Sequence, residues 1–160
     1  MTIQVGDKIP SVDLQFLGED GVKTINSNEL FGGKKVVLFG LPGAFTPTCS
    51  SAHLPGYVVH ADALKAKGVD SIICMSVNDA WVMDAWGKQH NADDQVMMIA
   101  DGSAEFTSAI GLDYDNPTPG MGVRSQRYAM IVDDGVVEQL NVEAPREFKV
   151  SDAETILASL

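Results

Sequence analysis

Two short apolar runs rich in β-branched residues, Val36-Val37-Leu38-Phe39-Gly40-Leu41 and Val69 to Val77, bracket a stretch with helical patterning from Thr46 to Gly68. Continuous apolar runs of this length suit strands covered on both faces. A strand, a helix and a strand in that order make a βαβ unit, whose two strands run parallel. Gly40, Pro42 and Gly43 stop the first strand. Thr46 is then expected to cap the helix with its hydroxyl, and Pro47 suits the first helical position, where its missing N–H has no intrahelical partner anyway. Cys49 falls at the third position. Ligands of such sheets sit beyond the carboxyl ends of the strands, and Cys49 lies in that kind of connection. The unpaired amides of the first turn and the helix dipole favour an anion, so the thiol is expected to be held largely as thiolate. The competing reading is a buried structural cysteine, which has no need of a strand stop, a cap and a first-turn proline ahead of it.

The rest of the chain supplies a mixed sheet. The loosely alternating region Val5 to Leu17, a turn at Gly18 to Gly21 and the run Val22 to Ile25 read as an N-terminal β-hairpin. Asn26 to Gly33 holds a capping residue, one helical turn and a glycine stop. Pro55-Gly56 is expected to kink or briefly break the 46–68 helix. Asn78 or Asp79 caps a helix running to about His90, Val96 to Ala100 is a short strand, and Ser103 to Ile110 is a short helix. Gly111 to Gly122 reads as loop. Arg127 to Val132 and Val136 to Leu140 flank Asp133-Asp134-Gly135, a hairpin signal. Ser151 to Leu157 starts a terminal helix, with a capping box from Ser151 to Glu154. The 160 residues suit one α/β domain, residues 1–160, of thioredoxin type: a central mixed β-sheet flanked by helices.

Charge narrows the partners. A formal net charge of −11 argues against nucleic acid, whose binding needs basic patches, and against anionic membranes. No long apolar run and no secretory pattern at Met1 to Lys8 are seen, so the cytoplasm is the expected home. There a disulfide framework from the two cysteines is not expected. His53, His60 and His90 have no ligand spacing with one another or with the cysteines, so no metal is expected, and no cofactor signal is present. His53 falls one turn beyond Cys49, with ordinary capping or packing as its competing role. Phe45, Trp81 and Trp86 divide between core packing and a dimer interface. Cys74, inside Ser71 to Val77, reads as a small buried hydrophobe. Thioredoxin-type redox proteins carry Cys-x-x-Cys at this helix start. Here Thr46 takes the first cysteine's place, so nothing local can attack a disulfide formed at Cys49.

The spacing Pro42-x-x-x-Thr46-x-x-Cys49 resembles the active-site motif of peroxiredoxins. Pro42 to Ser50, together with His53-Leu54-Pro55-Gly56, Val77-Asn78-Asp79-Ala80 and Trp86-Gly87, is similar to their type II, or fifth-type, subgroup. The resemblance implies a thioredoxin fold, a homodimer packed near the active site, and reduction of hydrogen peroxide or alkyl hydroperoxides through a Cys49 sulfenic acid. It makes Cys49 the peroxidatic nucleophile, Thr46 the hydroxyl that holds the peroxide and Pro42 the shield of the sulfur. Arg127 becomes the catalytic arginine at the start of a late strand, with Arg124 as second choice. A helix start supplies roughly 0.3–2 kcal/mol toward a thiolate and a charge-assisted arginine contact roughly 1.5–3, so the arginine is needed. Some subgroup members carry a resolving cysteine near the C-terminus, and none follows Cys74 here. A one-cysteine cycle is therefore expected, with glutathione and glutaredoxin, or thioredoxin, as the external reductant. Two other classes remain: a peroxide sensor or redox relay acting by mixed disulfide at Cys49, and a binding module that keeps only the fold.

Overall fold

The computed structural model describes residues 1–92 and 94–160. The expected N-terminal hairpin is formed by β1 (Asp13–Gly18) and β2 (Gly21–Asn26), paired antiparallel. Helix α1 (Ser27–Phe31) follows, capped by Asn26, whose side chain accepts the Asn28 N–H, and stopped at Gly32. The predicted βαβ unit is β3 (Lys35–Leu41), a helix ending in α2 (Leu54–Ala66), and β4 (Ser71–Ser76), with β3 and β4 parallel. Helix α3 (Ala80–Gln89) is capped by Asp79, and β5 (Met97–Ala100) pairs parallel with β4. After α4 (Glu105–Ala109) come β6 (Asp113–Asn116), β7 (Gly122–Ser125), β8 (Tyr128–Asp133), β9 (Val136–Val142) and α5 (Ala153–Ser159).

The main sheet has the order β2-β1-β5-β4-β3-β8-β9. Its centre is parallel and its flanks are antiparallel, which is the mixed thioredoxin-like sheet expected. Alternate residues of β3 feed two cores: Val37, Phe39 and Leu41 pack with Leu54, Tyr57 and Ile156, while Val36 and Leu38 pack with Phe31, Phe106 and Tyr128. A strand buried on both faces needs this unbroken apolar run. The β8–β9 turn places Asp134 at φ 48° and Gly135 at φ 77°, the two left-handed residues that a tight hairpin requires.

In the C-terminal half two expectations fail in detail. The segment 111–122 is not all loop, because β6 pairs with β7 in a small separate hairpin. Its first strand, Asp-Tyr-Asp-Asn, has neither the alternation nor the β-branched residues that announce a strand. The terminal helix is capped by Asp152, whose carboxylate accepts the Thr155 N–H, and not by Ser151. The Ser151 hydroxyl donates instead to Glu143, 2.7 Å away.

Candidate active site

Strand register decides which residues meet at the carboxyl end of β3. Gly40 stands opposite Tyr128, and Tyr128 in turn opposite Val142, so Arg127 and Glu143 both lie one residue beyond this level, beside the chain leaving Leu41. The Glu143 N–H donates to the Arg127 carbonyl at 2.9 Å and fixes that level. Gly40 is required there, since a Cβ on it would land on the Tyr128 ring.

From Leu41 the chain turns through Pro42 and Gly43 into a helix beginning at Pro47. Pro42 is half-buried in this connection. The Ala44 N–H donates to Asn78 Oδ1 at 3.0 Å, which ties the turn to the end of β4. The Thr46 carbonyl accepts the Ser50 N–H at 2.9 Å, while its hydroxyl donates back to the Gly43 carbonyl at 2.7 Å. Thr46 therefore marks the helix start without the side-chain cap expected of it. Its hydroxyl proton is committed to Gly43, and its lone pairs remain available to accept. Trp86, fully buried, donates its indole N–H to Ser50 Oγ at 2.9 Å and pins the first turn to α3.

Of the kink or short break expected at Pro55-Gly56, no break is seen, since α2 runs through both residues. Residues Cys49–His53 form a π turn, closed by the Leu54 N–H on the Cys49 carbonyl, and the α-helix resumes at Leu54. A proline clashes with the carbonyl four residues before it, here Ser51, and a wider turn directly ahead of Pro55 absorbs that conflict. Both buried residues of the turn are chemically active ones, Cys49 and His53.

Arg127 reaches into this turn with both ends of its guanidinium. Nη2 donates to Cys49 Sγ at 3.2 Å, and Nη1 meets His53 Nδ1 at 2.8 Å. The Phe148 ring centroid lies 5.8 Å from the guanidinium carbon. Arg127 rather than Arg124 is thus the arginine at the sulfur. Arg124 directs Nε to the Met121 carbonyl at 2.9 Å and Nη1 to the Val77 carbonyl at 3.3 Å. Of the donors expected at the sulfur, first-turn amides and an arginine, the guanidinium is the one seen to hydrogen-bond it.

His53 is buried, and its Nε2 lies 3.1 Å from the Ser151 carbonyl, which also accepts the Tyr57 hydroxyl at 2.7 Å. Burial, and next the Arg127 charge, push its pKa down to about 3, with the Ser151 carbonyl and Glu143 opposing. Glu143 takes N–H bonds from Lys149, Val150 and Ser151 besides the Ser151 hydroxyl. Burial alone would raise its pKa, but these donors together hold it below the ordinary carboxylate value.

Cys74 is free and buried, as is Cys49. Burial first, and then the negative charge of Cys49, raise the Cys74 pKa well above a free thiol's, with Arg127 opposing. Cys74 faces the same core as Cys49 and aligns with Phe39 on β3. Phe45 and Trp81 are 49% and 64% exposed, whereas Trp86 is core. Among the described residues no helix is long and apolar enough to cross a membrane, and no cluster of His, Cys, Asp and Glu is suited to a metal ion.

The roles of His53, Ser151 and Glu143 in one chain of contacts ending at Cys49 escaped the sequence. His53 lay in the quoted motif, but nothing local signals its partner 74 residues away.

A redoxin family model matches residues 4–157. The chain is 50% identical to "Peroxiredoxin-2B" of Arabidopsis thaliana, over 99% of this chain and 98% of that one. It superposes on a reduced Prx3 from Vibrio vulnificus in complex with hydrogen peroxide with a TM-score of 0.95, at 58% identity and 99% coverage of both chains. A peroxiredoxin 5 from Alvinella pompejana gives a TM-score of 0.86 at 35% identity, covering 98% of this chain and 97% of the other.

Proposed function

The chain belongs to the redoxin family, among the type II peroxiredoxins, which are thiol peroxidases, and from that premise we propose that residues 1–160 act as one domain reducing hydrogen peroxide and alkyl hydroperoxides at Cys49. The observation that carries this reading is the Arg127 Nη2 contact with Cys49 Sγ at 3.2 Å. This contact puts a fixed cationic donor directly on the sulfur that is to act as nucleophile.

The thiolate attacks one peroxide oxygen, an S–O bond forms, and the O–O pair passes to the departing oxygen. That oxygen takes a proton and leaves as water or an alcohol, with Cys49 as the sulfenic acid. Negative charge moves from sulfur to oxygen during the step, and the guanidinium of Arg127, already at the sulfur, is the fixed donor that stabilises it. Thr46, whose proton is held by Gly43, receives the peroxide O–H on a lone pair and orients it. Pro42 shields the sulfur from bulk water. A relative with 58% identity was crystallised with hydrogen peroxide, which supports this substrate class.

Regeneration uses an external thiol: it displaces water from the sulfenic acid to give a mixed disulfide, and a second thiol releases Cys49. Glutathione with glutaredoxin, or thioredoxin, supplies these electrons. The one-cysteine cycle is supported by Cys74, which is fully buried in a strand flanked by β3 and β5. The cytoplasm suits two free thiols, and subcellular fractionation tests it. A homodimer is supported by the exposed rings of Phe45 and Trp81, and sedimentation equilibrium at micromolar concentration tests it.

Stopped-flow oxidation of the reduced protein by stoichiometric peroxide is the test. A rate no faster than a free thiol's would sink the proposal, and turnover with each reductant system identifies the electron donor.

A further inference from the structure

We infer that His53 is a positioning residue for the peroxidase site: its Nδ1 lone pair takes one guanidinium N–H of Arg127 and thereby turns the other onto Cys49 Sγ. This rests on the peroxidase reading above and deepens it.

The hydrogen-bond chemistry leaves one assignment. Arginine has five N–H donors and no acceptor, so His53 Nδ1, 2.8 Å from Nη1, must be the acceptor. A carbonyl cannot donate, so Nε2, 3.1 Å from the Ser151 oxygen, must carry the proton. The two partners together impose the neutral Nε2–H tautomer. An arginine on a long side chain with one contact at the sulfur can still rotate. With Nη2 on Sγ, Nη1 on Nδ1 and Phe148 against the group, its plane is set.

The histidine is itself held. Its ring lies 4.9 Å from the Phe39 centroid and 5.0 Å from that of Phe148. The Ser151 carbonyl that takes its proton belongs to a residue whose N–H and hydroxyl both bind the Glu143 carboxylate, at 2.8 and 2.7 Å. A continuous path therefore runs from Glu143 through Ser151, His53 and Arg127 to the sulfur. Packing alone needs only the ring's shape, and capping would not aim a nitrogen at an arginine.

Three substitutions separate the two ring nitrogens. His53→Asn keeps an acceptor near the Nδ1 position and loses the bond to Ser151. His53→Gln keeps a donor near Nε2 and loses the acceptor for Arg127. His53→Phe keeps the shape and neither bond. The rate constant for Cys49 oxidation by hydrogen peroxide should fall about ten- to a hundredfold in the Gln and Phe variants, the range for a lost hydrogen bond to a charged group. The Asn variant should recover most of the rate even where its melting temperature falls as far as that of Gln. Equal rates for Asn and Gln, or rates following melting temperature alone, overturn the inference. Nitrogen-15 spectra of the wild-type protein with labelled histidine give a readout independent of folding variants. A protonated Nε2 and a bare Nδ1 at His53 are expected, and a protonated Nδ1 overturns the inference. If the unaltered protein oxidises only at a free thiol's rate, the peroxidase reading fails instead.

Discussion

The two thiols of this chain are equally hidden and differently placed. Cys49 and Cys74 each have 0% exposure and pack into the same core. Cys49 sits in a π turn with a guanidinium on its sulfur. Cys74 sits mid-strand beside Phe39, and burial together with the charge of Cys49 drives its pKa up. Burial therefore does not decide what a cysteine does. The placement of fixed donors around it does, and in this fold the donor comes from the start of the neighbouring strand, through the register of β8 against β3.

The comparison breaks most visibly at the sulfurs themselves. Cys49→Ser should abolish peroxide consumption, while Cys74→Ala should leave turnover with either reductant unchanged and lower stability by about 1–2 kcal/mol through lost packing. Turnover lost in Cys74→Ala would mean that the buried thiol resolves the sulfenic acid, and the one-cysteine cycle would be wrong. The arginines come next. Arg127→Ala should lower the oxidation rate constant by about a hundred- to a thousandfold, the scale for one fixed donor at a developing charge. Arg124→Ala should cost well under tenfold, because its guanidinium bonds to the Met121 and Val77 carbonyls and not to the sulfur. Comparable losses in the two variants, measured by stopped flow, would remove the special place given to Arg127.

How much of this could be read beforehand follows from how far each signal travels along the chain. The strands β3 and β4, the turn at Asp134-Gly135 and the helix start at Pro47 are local patterns, and they fold as read. Arg127 was placed by resemblance, and only the register of three strands explains why position 127 arrives at position 49. The β6–β7 hairpin was invisible because Asp113 to Asn116 carries no apolar alternation. The Ser151 capping box misled because a distant carboxylate, Glu143, competes for its hydroxyl and wins. Prolines mark a helix interruption well but not its form: the conflict at Pro55 is relieved one turn earlier, around the reactive sulfur.

Acid should sharpen the contrast between the neighbourhoods, since the polar chain behind Cys49 titrates and the core around Cys74 does not. His53 has a folded-state pKa of about 3 against an ordinary value of 6.5. The unfolded chain thus binds a proton at His53 that the folded chain refuses, and stability falls as pH drops from 6.5 toward 3. At pH 5 this group alone accounts for about 2 kcal/mol of lost stability relative to neutral pH. Glu143, whose folded pKa is lowered, adds a loss in the same direction below the carboxylate range. Urea melts between pH 7 and pH 5 should therefore show wild type losing stability as the pH falls, with a flatter slope in His53→Phe, which lacks the titrating ring. An unchanged slope in the variant would mean that neither burial nor the Arg127 charge lowers the pKa of His53.

A smaller effect than that of Arg127 is expected from the Thr46 hydroxyl, three residues ahead of Cys49. If donors placed around Cys49 are what separate it from Cys74, an acceptor that orients the peroxide should matter less than the charge that stabilises its cleavage. Thr46→Val keeps the shape and removes both the bond to the Gly43 carbonyl and the lone pairs. It should lower the oxidation rate constant about tenfold and stability by about 1 kcal/mol, the net value of one neutral hydrogen bond. Thr46→Ser restores the hydroxyl without the methyl and should recover the rate. Should Val match wild type in rate while Ser does not, the methyl is what counts, and Thr46 contributes packing against the turn and no contact with substrate.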